Sequence, residues 1–448
     1  MRAVRLVAWG SLMASAALVS CSWSRFSEVS KDAPVVVLTK PGGVGSGYAS
    51  TMAAVTLGDE VRLLVGPTPG LSGAAEFVLG TGQSPTKSAL TNAHCRTQEG
   101  CSMAATPSGL SRAESESGIR SLCFAEGYYY DPLNAIWVVE LGCKGDGAAL
   151  TTVVPWPFPS GLEVTQPDAQ RLATAAERVE SAGTELPRLL VGLSSTSGPN
   201  GTAFVYRPGA FKTPEVLAPG VVGPSYGRSV AIFASEGATY FAVGEPDVGK
   251  IHVFRDDNGT ATLTGCVERA PGFGQTLAAG RVFPGNDEDL AVADGKDVIV
   301  FPGGVLTSLP NATCADVPEA ATQRLACRDT ADVTGCGGGH FGASLAVADF
   351  DADGDGEVVV GAPGMSVRDE SSAGAVEIFD LEGAFPLRVT DVKFISSAES
   401  GDRLGTSLAI AHQPDRDVLV AGGPGGGKAA VFMCSKLLPP ERRGARCQ

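Results

Sequence analysis

The sequence predicts an all-β fold, a single seven-bladed propeller of four-stranded antiparallel blades. Three observations predict it. Short β-branched runs bounded by Gly, Asp and Pro recur along the chain, which is how strands joined by tight turns read. The 448 residues include 58 Gly and 29 Pro, only 19% are charged, and no helical period of useful length follows the N-terminus. An aromatic residue or Leu followed by Gly opens one unit after another, as at Tyr226-Gly227, Phe273-Gly274, Phe341-Gly342 and Leu404-Gly405. A repeat therefore sets the length, and not a string of unrelated domains. One such unit cannot bury both faces of its sheet alone, whereas radial packing buries each face against a neighbour.

Residues 1–20 stand outside the fold. Arg2 and Arg5 form a basic start and residues 6–18 a short apolar run, below the ~20 residues that a membrane-spanning helix needs. The stretch reads as an export signal. Leu18-Val19-Ser20-Cys21 resembles the bacterial lipobox, and that resemblance implies that Cys21 is acylated and becomes the mature N-terminus. Residues 21–33 are then a lipid-anchored tether. Ser22, where an Asp would retain such a protein in the inner membrane, points to the outer membrane, facing the periplasm or the surface. The formal net charge is −15, and −17 once Arg2 and Arg5 are removed, with 32 basic against 49 acidic residues. Nucleic acid is not an expected partner, because neutralising phosphates needs a basic face.

The propeller is expected over residues 34–448. Residues 35–38 make a strand with no unit of their own. Residues 36–51 line up with 215–230, where an outer strand leads through Gly-rich turns into the next unit. By that parallel, residues 35–38 are expected to cover the open edge of the last blade. The first blade follows at 52–57, 61–66 and 74–79. Residues 84–117 are polar, match no clean repeat and are expected as a Cys-bearing insert. The second blade is expected at 121–125, 135–141 and 150–154, with its innermost strand placed only vaguely before Arg120. The third is expected at 172–179, 189–192, 202–206 and 215–217, and the fourth at 229–233, 240–246 and 250–254. The fifth opens at Phe273-Gly274 and continues through 289–293 and 297–301. A second Cys-bearing insert near 310–338 leads to the sixth. The seventh has strands at 407–411, 417–422 and 428–432.

The sixth unit is the best-formed copy. Phe341-Gly342 opens it, and residues 344–348 read as a strand. Asp349-Phe350-Asp351-Ala352-Asp353-Gly354-Asp355 follows as an acidic turn, and a Val-rich strand closes on Gly361-Ala362-Pro363. This order resembles the FG-GAP repeat of integrin α-chain β-propellers and their bacterial relatives. Worn versions of the second half stand at Gly244-Glu245-Pro246 and Gly422-Gly423-Pro424. The alternation of Asp349, Asp351 and Asp353 aims three carboxylates at one point, and Gly354 permits the sharp bend. With the Asp355 carbonyl and Glu357 they supply most of the six to eight oxygens that Ca²⁺ takes. The family places Asp at the last ligand position, so Glu357 is a departure. An EF-hand would need Glu where Val360 stands. Residues 285–289 are acidic but wrongly spaced, and no second site of this type is expected there.

Eleven Cys less Cys21 leaves ten, an even number in an exported chain, which suggests disulfides. Spacing favours Cys95 with Cys101, Cys123 with Cys143, Cys327 with Cys336 and Cys434 with Cys447. That leaves Cys266 with Cys314, meeting between neighbouring blades, although sequence does not fix connectivity. A metal cluster has little support, with no paired C-x-x-C and four His. Leu90-Thr91-Asn92-Ala93-His94-Cys95 looks like the histidine motif of trypsin-like proteases, but no Ser in a G-D-S-G-G context accompanies it. The Gly-rich run 422–427 lacks the Gly-Lys-Ser/Thr ending of a phosphate loop.

The resemblance implies a monomeric, calcium-stabilised, non-catalytic binding or scaffold protein, anchored to the membrane by lipid. Its expected partners are proteins or glycans held by loops on one propeller face. The other class of reading is a propeller hydrolase or lyase, or an accessory to an enzyme. Against it, no His/Asp/Glu set with catalytic spacing stands out.

Overall fold

The computed structural model describes residues 36–39, 48–57, 60–66, 75–79, 86–89, 101–106, 121–131, 136–145, 151–157, 170–181, 184–195, 200–207, 214–257, 259–310, 314–350, 354–381, 388–393, 398–412 and 417–433. They form an all-β, propeller-like arrangement. Seven sheets of four or five strands follow one another along the chain, beside a two-stranded pair. Each of the seven begins as an antiparallel meander. The opening strands neighbour one another in chain order, and Ser407–His412 of the seventh sheet lies against Thr51–Leu57 of the first.

The strand pattern follows from burial. A sheet packed between two others has no solvent face, so its inner strands read as continuous apolar runs rather than an alternation. All six residues of Glu357–Ala362 and all five of Asp289–Ala293 are buried. Val358, Val360 and Phe379 of the sixth sheet join Ala291, Val298 and Val300 of the fifth in one cluster. Val359, Val376 and Ile378, on the opposite face, pack with Leu419, Ala421 and Phe432 of the seventh.

The two halves of the repeat motif have different tasks, and the geometry separates them. Within the sixth sheet, Gly342 donates its N–H to the Gly361 carbonyl at 3.0 Å. Gly342 has a φ of +86°, as Gly227, Gly274 and Gly405 have +81°, +87° and +85°, a region that L side chains rarely adopt. Gly361 faces the next sheet. A Cβ there would lie 2.1 Å from the Gly405 carbonyl oxygen. The same near-contact recurs from Gly244 to Gly274 at 2.1 Å, from Gly422 to Ala49 at 2.1 Å and from Gly192 to Gly227 at 2.2 Å. The opening residue of each strand adds a bond across the junction. Ser229, Ser344 and Ser407 donate their hydroxyls to the carbonyls of Gly274, Gly405 and Ala49, each at 2.7 Å. The last of these ties the seventh sheet to the first. The preceding aromatic residues plug the seam: Tyr48, Tyr226, Phe273 and Phe341 are all at most 3% exposed.

The N-terminal strand lies where the alignment of residues 36–51 with 215–230 puts it. Val36–Thr39 pairs antiparallel with Lys428–Met433, from Val36 opposite Val431 to Thr39 opposite Lys428. The seventh sheet gains its fourth strand from the start of the chain.

Two expected inserts turn out to contain sheet. Within residues 84–117, Thr86–Ala89 is the outer strand of the first sheet and Cys101–Thr106 the opening strand of the second. Their small and polar side chains hide the strands from a reading based on β-branched runs. Within residues 310–338, Gln323–Ala326 closes the fifth sheet, and Cys314–Ala315 adds a parallel fifth strand to the fourth. Val333–Thr334 pairs with Ser366–Val367. A short helix, Gly303–Thr307, lies between Asp297–Phe301 and Cys314–Ala315.

Candidate functional site

Asp349 directly follows the opening strand of the sixth sheet, Ser344–Ala348, and Glu357 begins the second, so the acidic turn springs from the ladder pair of Ala348 opposite Glu357. Glu357 is 2% exposed. One of its carboxylate oxygens accepts the Phe350 N–H at 2.7 Å, while Asp349 accepts the Gly354 N–H at 3.2 Å. Gly354 has a φ of +103°, the bend that the turn requires. Arg281, from the matching turn of the fifth sheet, donates to the Gly354 carbonyl and stands 3.8 Å from the Asp355 carboxylate. The structure thus brings Asp349, Asp355 and Glu357 to one turn. Asp351 and Asp353 lie outside the described residues. Hard oxygen donors on a tight turn suit Ca²⁺ chemically. Arg281 is the participant that sequence reading missed, since nothing in Gly280-Arg281 marks its reach into the next sheet.

The fifth sheet's acidic run has a different use. Asp289, at the position of Glu357, accepts N–H groups from Val282 and Phe283 at 2.8 Å each and from Gly303 at 3.0 Å. Burial pushes its carboxyl up to about 6, against the pull of those three donors. Glu288 accepts the Ala234 N–H at 2.8 Å and Asp287 the Glu236 N–H at 2.7 Å, both on the fourth sheet.

Two of the expected disulfides are present. Cys266–Cys314 links the parallel strands that extend the fourth sheet, and Cys327–Cys336 staples the segment that leads into the sixth. Cys266–Cys314 therefore joins two strands of one sheet and does not bridge blades. Cys123 stands directly opposite Cys143 in the second sheet's register. Cys21, Cys95, Cys434 and Cys447 lie outside the described residues, as does the side chain of Cys101. Beside Cys327–Cys336 lies Glu377, fully buried on the third strand of the sixth sheet. It accepts the Arg328 N–H at 3.2 Å, and its other oxygen has no hydrogen-bond partner. Burial pushes this carboxyl up to about 7.

In the fourth sheet Glu245 occupies the place of Ala362. It hydrogen-bonds His252 at 2.9 Å and accepts the Gly223 N–H at 2.5 Å. Burial raises its carboxyl, but the bonds from His252 and Gly223 prevail and hold it below the usual range. This pair ties the connection before the fourth sheet to that sheet's own hairpin.

A cavity of about 720 Å³ lies where the opening strands converge. Ser50 and Thr51, Thr174, Arg228, Gln275, Ala343 and Thr406 reach it from six of the seven sheets, and His340 and Arg403 stand at its rim. Sequence reading missed this constellation because its members are single residues scattered over the whole chain.

Residues 341–379 match the family described as FG-GAP repeat. Human integrin alpha-7 is 33% identical over 96 residues, a segment that spans 21% of this chain and 8% of that protein. Residues 341–379 thus carry one FG-GAP repeat. Among solved structures, an Aleuria aurantia lectin variant in complex with alpha-methyl-L-fucoside is 10% identical, with a TM-score of 0.43 over 79% of this chain and 98% of the lectin. The Dos1 propeller is 11% identical, with a TM-score of 0.46 over 87% of this chain and 78% of that one.

Proposed function

We propose that this chain is a non-catalytic binding protein, a seven-bladed propeller that holds its ligand at the axial cavity. The observation that carries the reading is the cavity itself, about 720 Å³ and reached by residues of six sheets. That volume is in the range of small-ligand sites, ~300–1,000 Å³. Its lining offers hydroxyl, amide, guanidinium and backbone groups, suited to a polar ligand such as a glycan or a polar loop of a protein. Ca²⁺ in the turn from Asp349 to Glu357 serves stability in this reading, as do the disulfides. Acylation at Cys21 would tether the domain to the bacterial outer membrane, and mass spectrometry of the mature N-terminus checks that part.

The function is tested by probing the protein on a glycan array beside Gln275→Trp, which places an indole at the cavity mouth. Loss of the retained glycans with an unchanged melting temperature is expected. Retention unaffected by the plug, or reproducible turnover in a hydrolase and lyase screen, overturns the reading. Ring closure is tested by deleting residues 22–39. Loss of Val36–Thr39 bares the edge of Lys428–Met433, so a lower melting temperature or aggregation is expected. A truncated protein as stable as the full mature chain would reject closure.

A further inference from the structure

The three residues just before the opening aromatic or Leu of the fifth, sixth and seventh sheets share a left-handed backbone. In the fifth it is Gly272, with a φ of +103°, which adopts that conformation freely. In the sixth it is His340, with a φ of +51°, and in the seventh Arg403, with +60°. A non-glycine residue there is strained by its Cβ, and a glycine would relieve that strain. Both strained residues line the axial cavity, and so does Ser372, which has a φ of +50°. Backbone outliers that gather at one cavity motivate a functional hypothesis.

Charge points to the ligand. The chain carries a formal net charge of −15. Yet the described lining of this cavity holds Arg228, Arg403 and His340 and, among the described residues, no Asp or Glu. Clefts lined by one sign of charge concentrate the opposite sign. The large aliphatic and aromatic members of the lining, Val230, Leu277 and Phe341, are themselves buried, so among the described residues no large apolar side chain is offered as an anchor of the kind that peptides use. Thr51, Thr174, Thr276 and Thr406 line the same cavity as the two arginines. Guanidinium pairs with carboxylate and sulfate through forked hydrogen bonds, and hydroxyls suit the ring oxygens of a sugar.

We infer that the axial cavity binds an anionic saccharide, through Arg228 and Arg403. This rests on the reading of the cavity as the binding site. The test is calorimetric titration of the full mature protein with three probes: a heparin-derived tetrasaccharide (sulfate), tri-galacturonate (carboxylate) and neutral galactotriose. At least one anionic probe is expected to bind, more weakly at high salt, and galactotriose at least tenfold more weakly. Whichever anionic probe binds tells sulfate from carboxylate. Arg403→Gly separates this role from a structural one. It should keep or raise the melting temperature by relieving the left-handed strain, while weakening the anionic probe at least tenfold. Arg228→Gln should weaken the same probe. Failure of both anionic probes to bind, or equal binding by Arg403→Gly, overturns the inference. If neutral glycans alone are retained and Gln275→Trp blocks them, the binding reading stands and only the anion assignment falls.

Discussion

The fifth and sixth sheets occupy the same place in neighbouring repeats, yet they solve two problems differently. The first is the turn between their opening strands. In the fifth, the Asp289 carboxylate collects three backbone N–H groups, and its acidic neighbours bond the fourth sheet. Protein donors neutralise the turn. In the sixth, among the described residues, Asp349 accepts the Gly354 N–H and Glu357 the Phe350 N–H, and the Arg281 guanidinium reaches the turn from next door. The proposed calcium site belongs to the second turn, where the alternating Asp stand, and not to the first. The second problem is the junction to the following sheet. Gly361 lets the Gly405 carbonyl sit close, with the Ser344 hydroxyl at 2.7 Å. Ala293 holds the matching place in the fifth sheet, and there the Thr276 hydroxyl stands 3.4 Å from the Ala343 carbonyl. One methyl group loosens the seam. The third strands differ as well: Glu377 pairs with Val360 where Ile299 pairs with Val292.

Exchanging the junction residues gives the largest expected effect. Gly361→Ala forces a methyl group against a backbone oxygen and should destabilise by about 3 kcal/mol. Ala293→Gly should cost about 1 kcal/mol, mostly through chain entropy. Urea unfolding measures both, and equal losses would break the comparison.

The pH dependence comes next. Glu377 and Asp289 have folded pKa values raised to about 7 and about 6. The folded chain therefore keeps protons that the unfolded chain has released above about pH 4. Their contribution is fully present below that pH and is lost as pH rises through 6 and 7, so stability should fall across this window. For Glu377 the loss is of order 3 kcal/mol. Glu377→Gln should flatten the upper part of the curve, read from melting temperatures between pH 4 and 8. An unchanged slope in the variant would reject the assignment.

Calcium should act on the sixth turn alone. At ~1 mM free Ca²⁺ and a Kd of ~0.1 mM, as in extracellular modules, binding stabilises by about 1.4 kcal/mol. Chelation should lower the melting temperature modestly without unfolding the ring. Asp349→Ala should abolish that response and Asp287→Asn should leave it intact. A calcium response in Asp349→Ala would refute the site.

The smallest effect sharpens the junction argument at the first sheet. Ala49 stands where the fourth to seventh sheets have glycine and carries a φ of +65°. Ala49→Gly should stabilise by about 1 kcal/mol, visible as a rise in melting temperature. A fall would show that the Ala49 methyl group packs better than its strain costs.

The sixth unit was legible because its signals are local. Gly342 and Gly354 are each required by a backbone conformation within one turn, and the Asp alternation and Gly361-Ala362-Pro363 stand at fixed spacings from them. The same holds for Cys327 with Cys336, nine residues apart. Strands such as Cys101–Thr106 and Gln323–Ala326 were not legible, because side chains that are small or polar carry no β signature and only the neighbouring strand selects them. The alignment of residues 36–51 with 215–230 did reveal the N-terminal strand, since a repeat carries its context with it.

Sequence by itself determined the repeat, the all-β class, the acidic turn and the residues that open and close each unit. These depend on spacing along the chain and on what a Cβ forbids. Only the tertiary structure decided which carbonyl each glycine admits, that Arg281 serves the next sheet's turn, and that Arg228 and Arg403 line one cavity. Those partners lie tens to hundreds of residues apart. Their meeting is set by how the sheets stack face to face, which no local pattern encodes.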